Sequence, residues 1–549
     1  MAPSPDQEWW QTGVVYQIYP RSFGDSNGDG LGDLEGIIRH LDHLNDGTPR
    51  SLGVDAIWLS PIYPSPDFDF GYDVADYTGI DGRYGTTAGF DVLVAGAHAR
   101  GIKVILDLVL NHSSHRHAWF EASRASRSGS FADWYIWRDS PGVTRQGRRR
   151  PPNNWRSFFG GPAWTWDEAR GQFYLHTFLA EQPDLNWRNP EVRRALLDVV
   201  RTWLDRGVDG FRLDVFNTFF KDAALRSNPP RRGGRGWGGQ HHVYDRDQPE
   251  LRGLLDDLRA IVDAQPGRMT VGELFDGSIE DAAGYVAPHH LVFDWAILGR
   301  PWDAAAFARA VVARDAAFGP DRWPANALSN HDQPRHASRY AGDPDGLGDA
   351  RAKVAATMLL TLRGTPFLYY GEEIGQRDLV IPNAAAFDPQ ARRSSRHSPA
   401  WNRDQCRGPI AWSGEPGGGF SMGRPWLPLS PDAPRRNVAT QASEADSVFS
   451  HYRRALWLRR STPALRDGDQ QIIVAEDPAI FAYRRRSGTS AALVVLNFEA
   501  RRTAFGAMPA AAPGREWRLA LSTAPHAANE ALAGAITLEP LEALVAVEA

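Results

Sequence analysis

Three acidic residues close short apolar runs: GFRLD ends in Asp214, MTVGE in Glu273 and ANALSNHD in Asp332. Arg212 stands two residues before Asp214, His331 directly precedes Asp332, and an earlier run, KVILDLVLNH, carries Asp107, Asn111 and His112. Two carboxyl groups held about 5–5.5 Å apart can divide a displacement at an anomeric carbon between them, one attacking and the other protonating the departing oxygen. The two tasks ask for different acidities. The nucleophile must be ionised, which a guanidinium on the same strand face favours; the acid must keep its proton, which apolar surroundings and neighbouring carboxylates favour. Asp214 suits the first task and Glu273 the second. A buried ion-pair network is the plain alternative, but carboxylates on three separate runs weigh towards chemistry.

Such residues need elements that end at one place. Apolar runs at 14–20, 55–61, 103–110, 210–216, 269–275, 291–298, 325–332 and 365–375 alternate with helical patterns near 34–44, 90–100, 190–206, 250–264 and 350–363. The runs lack strict alternation, as parallel strands buried on both faces do. Eight such units predict an α/β fold, a (β/α)8 TIM barrel whose chemistry sits at the C-terminal strand ends. Residues 1–111 are expected to form its first part. Residues 112–183, rich in Arg, Gly and Trp, read as an inserted domain after strand three. Residues 184–464 complete the barrel, with a lid segment near 376–430. From 465 to 549 short β-like runs spaced by turns predict a C-terminal antiparallel, β-sandwich-like domain.

The motifs GFRLDVFN, GELF, NHD (330–332), DLVLNH (107–112) and QPDLN (182–186), in this order on these strands, resemble the conserved regions of the α-amylase superfamily, glycoside hydrolase family 13, and most of all its α-glucosidase and oligo-1,6-glucosidase branch. The likeness runs from about Trp9 into the C-terminal domain. It implies Asp214 as nucleophile, Glu273 as acid and then base, and Asp332 as a clamp on sugar hydroxyls. It further implies that Asp69, His112 and His331 bond hydroxyls of the glucose, that Tyr72 stacks under its ring, that Arg212 orients Asp214, that Phe159 walls the pocket and that Arg407 closes it. Around that Arg the family usually has Cys-Arg-Thr-Pro-Met; here the chain reads Cys-Arg-Gly-Pro-Ile (406–410).

The resemblance also bears on DSNGDGLGDLEG (25–36). Asp25, Asn27 and Asp29 at alternate positions with Gly30 look like an EF-hand loop, but Gly36 stands where a bidentate Glu belongs. In the family branch this loop holds one structural Ca2+ or Mg2+, and the matching ligands are Asp25, Asn27, Asp29, the Leu31 carbonyl and Asp33. No organic cofactor is implied. His112, His115 and His117 do not have the spacing of a helical zinc pair.

Composition narrows the partners. The 549 residues carry a net charge of −5, giving no overall attraction to nucleic acid or anionic membrane. Twenty Trp and 15 Tyr suit sugar-lined sites, though most such rings fill cores. Cys406 is the single cysteine, so no intrachain disulfide can form. The first residues, MAPSPDQEWW, show no signal-peptide pattern and no apolar run spans a membrane, so a cytoplasmic setting is expected. The expected protein is a retaining, exo-acting α-glucosidase for short oligosaccharides or disaccharides, monomeric or weakly dimeric, with transglucosylation open to it. In the family branch Val after the nucleophile, here Val215, leans towards α-1,6 linkages; α-1,4 (maltase) or sucrose- or trehalose-acting specificity is the alternative, and a non-catalytic homologue the remote one. Trp237, in the Gly- and Arg-rich stretch 229–239 after strand four, is expected to contribute a leaving-group subsite.

Overall fold

The computed structural model describes residues 8–341, 346–393, 401–506, 508–527 and 529–549. Most of the N-terminal stretch read for a signal peptide, and residues 394–400 of the expected lid, lie outside the described residues. Eight strands, β1 (Val15–Ile18), β2 (Ala56–Leu59), β3 (Lys103–Leu108), β4 (Gly210–Leu213), β5 (Met269–Glu273), β6 (Leu291–Phe293), β7 (Ala325–Ala327) and β8 (Thr365–Tyr369), close into a barrel. Every pairing is parallel, in chain order, with β8 returning to β1. Val15, Trp58, Ile105, Val271, Phe293 and Phe367 form part of one interior cluster, while the other strand faces pack outward onto the helices. That double burial is why the strands read as unbroken apolar runs.

The helices follow ordinary rules. Pro190–Asp205 starts with Pro at its first turn, capped by the Asn189 side chain on the Glu191 amide, and buries Val192, Leu196, Val199, Val200 and Trp203 along one face. The helix expected over 34–44 is instead two short ones, Leu34–Arg39 and Leu41–Leu44. They break at His40, whose ring turns back onto the Gly36 carbonyl (2.7 Å) and stacks on Trp412. Gly36 itself is required by a close approach: a Cβ there would lie 1.9 Å from the Gly24 carbonyl oxygen.

Between β3 and β4 three antiparallel strands, Trp137–Arg138, Trp164–Asp167 and Gln172–Leu175, form a small sheet. The side chains of Asn153, Asn154 and Trp155 bond the carbonyls of Leu225, Asn228 and Arg226, fastening this part to the loop after β4. After β8 the chain recrosses the barrel mouth through the short 3-10 helix Arg403–Arg407. A six-stranded antiparallel sheet between Asp469 and Glu548 ends the chain, with a separate two-stranded sheet beside it. Arg485 and Tyr483 of that sheet bond Thr361 at the end of a barrel helix. Among the described residues no helix is long and apolar enough to cross a membrane.

Candidate active site

The register of the barrel builds the site. Asp107 pairs with Arg212 across β3 and β4, and Leu213 with Gly272 across β4 and β5, so Asp107, Arg212, Asp214 and Glu273 arrive together at the C-terminal mouth. Arg212 is buried and serves all three carboxylates. Its Nη1 donates to Asp107 Oδ1 and to Asp214 Oδ1, both at 2.6 Å, and its Nη2 donates to Glu273 Oε2. The Val215 amide adds a second donor to Glu273 Oε2 at 3.3 Å. One oxygen of each carboxylate of the pair is thus engaged, which leaves Asp214 Oδ2 and Glu273 Oε1 without a hydrogen-bond partner among the described residues.

One guanidinium among three carboxylates, two of them buried, cannot neutralise them all. Burial pushes the Asp214 carboxyl well above the usual carboxylate range; Arg212 opposes this, and the negative neighbours Glu273 and Asp107 add to it. Asp107 is likewise pushed up by burial, to about 6, against the pull of Arg212. Arg212 thus favours the ionised Asp214, as its place on the strand suggests, but its guanidinium is shared with Glu273 and Asp107.

The opposite wall reverses this balance. Arg407 Nη2 (2.8 Å) and Arg403 Nη1 (3.3 Å) both reach Asp332 Oδ1, and His331 Nε2 lies 3.2 Å from Oδ2. Burial alone would raise the Asp332 carboxyl, but His331, Arg403 and Arg407 outweigh it and hold it well below the usual range. Arg403 also bonds Asp69 (2.7 Å) and Asp388 (2.8 Å), pinning the loop after β2 to the segment after β8. Its guanidinium lies 5.2 Å from the centre of the Phe159 ring.

The two histidines are neutral donors. Burial lowers His331 to about 3 and His112 to about 4. Tyr72 gives its one hydroxyl proton to Asp107 Oδ2 (2.9 Å), so it accepts from His331 Nε2 (2.7 Å), and His331 Nδ1 accepts from Gln17 (2.9 Å). Tyr72 also stacks on the His331 ring, 5.4 Å between centres. His112 Nδ1 accepts from Asn111, and its Nε2 faces the Tyr72 carbonyl and Gln182.

These groups surround a cavity of about 670 Å³. Of the residues singled out from the sequence, Asp69, Tyr72, His112, Phe159, Asp214, Glu273 and Asp332 line it, and Arg212 and His331 lie behind them. Among the described residues the arginine on the wall is Arg403, whereas Arg407 lies behind Asp332 and braces it, with its Nε on the His331 carbonyl at 2.7 Å. Trp237 does not line the cavity either. Its ring stacks on His242 and meets Phe158 and Phe275 edge-on, backing those two rings, which do line it. Sequence reasoning missed Arg403, Gln182, Phe178 and Phe275. Gln182 stood in the quoted QPDLN, and Arg403 four residues before the arginine chosen.

In the loop 25–33 the donor types fit a hard divalent cation, but this arrangement does not gather them. Asp25 accepts from the amides of Asn27, Gly28 and Gly30, Asp29 from that of Leu31, and Asp33 from Ser26 and Gly36. Among the described residues no three His, Cys, Asp or Glu side chains converge on one metal position.

A closed parallel barrel with paired carboxylates at its mouth defines a class of sugar-processing enzymes, and comparison with known proteins gives the family. The family model described as "Alpha amylase, catalytic domain" matches residues 17–468. A probable alpha-glucosidase of Rhizobium meliloti (strain 1021) is 43% identical over 519 residues, covering 90% of each chain. An oligo-1,6-glucosidase of Halalkalibacterium halodurans is 39% identical over 534 residues, covering 91% of this chain and 92% of its own. The crystal structure of the alpha-glucosyl transfer enzyme XgtA superposes with a TM-score of 0.89 at 39% identity, covering 99% of this chain and 100% of its own. The chain belongs to the α-amylase family, glycoside hydrolase family 13.

Proposed function

We propose that the protein is a retaining, exo-acting α-glucosidase that releases glucose from the non-reducing end of short α-glucosides. The observation that carries this reading is the meeting of Asp214 and Glu273 on one guanidinium at a pocket whose far wall is pinned by the Arg403 bonds to Asp69, Asp332 and Asp388. A wall of that kind admits a chain end and stops a chain from running through.

Asp214 Oδ2 attacks the anomeric carbon while Glu273 gives its proton to the departing oxygen; the carbon–oxygen bond breaks and a β-glucosyl ester forms on Asp214. Water, deprotonated by Glu273, then attacks the same carbon, releasing α-glucose and restoring both carboxyl groups. Asp332, held ionised, bonds sugar hydroxyls and stabilises positive charge developing on the ring. A sugar hydroxyl taking the place of water gives transglucosylation, a reading supported by the likeness to an alpha-glucosyl transfer enzyme.

Val215 lines the pocket beside Phe159 and Phe178, and the relatives named oligo-1,6-glucosidase agree with its lean towards α-1,6 linkages. One side chain moves such a preference by only about 1–3 kcal/mol. Initial glucose release from isomaltose and maltose at equal concentration, with Asp214→Asn as the inactive reference, tests the linkage. Faster isomaltose cleavage is expected; faster maltose cleavage makes this an α-1,4-glucosidase, and silence on both directs attention to sucrose and trehalose. Ligand type and spacing also support a structural Ca2+ or Mg2+ in the loop 25–33.

A further inference from the structure

Val215 follows the nucleophile in a left-handed backbone conformation, φ 39° and ψ 40°. For a β-branched residue this is a strained position, one that persists only where the surroundings impose it. Two contacts from Thr218 impose it here. The Thr218 amide donates to the Val215 carbonyl at 2.9 Å, as the first turn of the 3-10 helix Phe216–Thr218, and the Thr218 hydroxyl donates to the same carbonyl at 2.7 Å. Thr218 is fully buried and lines no part of the cavity.

The strained turn has a chemical consequence. It aims the Val215 amide at Glu273 Oε2, the oxygen that already accepts from Arg212. A carboxyl oxygen accepting two donors is a poor seat for a proton, so the proton of the acid form belongs on Oε1, which has no hydrogen-bond partner among the described residues. That is the oxygen from which it can be delivered to a leaving group.

We propose that Thr218 is a positioning residue for acid catalysis: its hydroxyl tethers Val215 in the left-handed turn, and the Val215 amide thereby fixes which oxygen of Glu273 carries the proton. The proposal rests on the acid role given to Glu273 above.

The test uses two substrates with the same sugar and different need for a proton: an alkyl α-glucoside, whose leaving oxygen must be protonated, and α-glucosyl fluoride, whose leaving group departs with little help. Thr218→Val, nearly isosteric, is expected to lower kcat/KM on the alkyl glucoside about tenfold more than on the fluoride, a fraction of the 10²–10⁴ that general acid catalysis supplies. The double variant Val215→Gly with Thr218→Val is expected to recover much of that ratio, because glycine takes the left-handed turn without a tether. Parallel losses on both substrates in Thr218→Val, with a lowered melting temperature, would mean that Thr218 only stabilises the fold and would overturn the proposal. Glu273→Gln, the reference, must itself discriminate strongly between the substrates. If it does not, the acid assignment fails; if it does and Thr218→Val does not, the tether fails alone.

Discussion

Two arginine–carboxylate groups face each other across the pocket and share their cations differently. On one side a single guanidinium, Arg212, serves Asp107, Asp214 and Glu273. On the other, two guanidiniums, Arg403 and Arg407, reach Asp332, and Arg403 bonds Asp69 and Asp388 besides. The residue types are the same and the arginines of both are buried; the number of cations that reach each carboxylate differs. Where one guanidinium is shared, burial prevails and raises Asp107 and Asp214; where two guanidiniums and a histidine meet one carboxylate, they hold it low. One half of the site thus favours protonated carboxyl groups at Asp107 and Asp214, and the other supplies fixed negative charge at Asp332.

This comparison can be broken most forcefully at Asp332. Asp332→Asn removes fixed charge without touching the proton-carrying half. Its kcat is expected to fall on the order of 10²–10³-fold, with the two limbs of the pH–rate profile left where they were. A profile displaced as far as the rate is lowered would show that the two halves titrate together.

Asp107→Asn sharpens the comparison from the other side. Removing a negative neighbour makes ionisation of the Asp214–Glu273 pair easier, so both limbs of the pH–rate profile are expected to move down by about one pH unit. A profile unmoved or moved upward contradicts the part given to Asp107 in raising Asp214. The same substitution bears on stability. The folded protein keeps the Asp107 proton up to about 6, whereas an unfolded aspartate loses it near about 3.9. The folded form thus binds more protons in that window, and its stability falls as pH rises from about 4 through about 6. Urea unfolding across this range should show a shallower decline in Asp107→Asn.

The smallest effect belongs outside both groups, in the loop 25–33. If a cation joins Asp25, Asn27, Asp29 and Asp33, chelation lowers the melting temperature by a few degrees and leaves the maltose-to-isomaltose ratio unchanged. An unmoved melting temperature means that the amides seen bonding these side chains suffice.

The two halves also differed in how far the sequence disclosed them. Asp107, Arg212, Asp214 and Glu273 end strands that are neighbours in the barrel, so once the alternating pattern predicts eight parallel strands, their convergence follows from strand order. Even there the sequence could not show that Glu273 leans on the same guanidinium as Asp214, because that depends on rotamers across β4 and β5. The Asp332 half was less legible. Arg403 and Arg407 come from a 3-10 helix after the last strand, in a stretch without helical or strand periodicity. Spacing cannot say which of two arginines four residues apart faces the cavity and which packs behind. Trp237 failed for a related reason: a loop after β4 was correctly expected near the mouth, but the direction of its ring is set by His242, Phe158 and Phe275.

The central claim is that Asp214 carries the sugar. The direct measurement is to trap the intermediate with a 5-fluoro-α-glucosyl fluoride, digest the protein and locate the added mass. The account predicts one fluoroglucosyl group per chain on the peptide containing Asp214, absent in Asp214→Asn. A label on Glu273, or turnover with no covalent species and release of β-glucose, would contradict it.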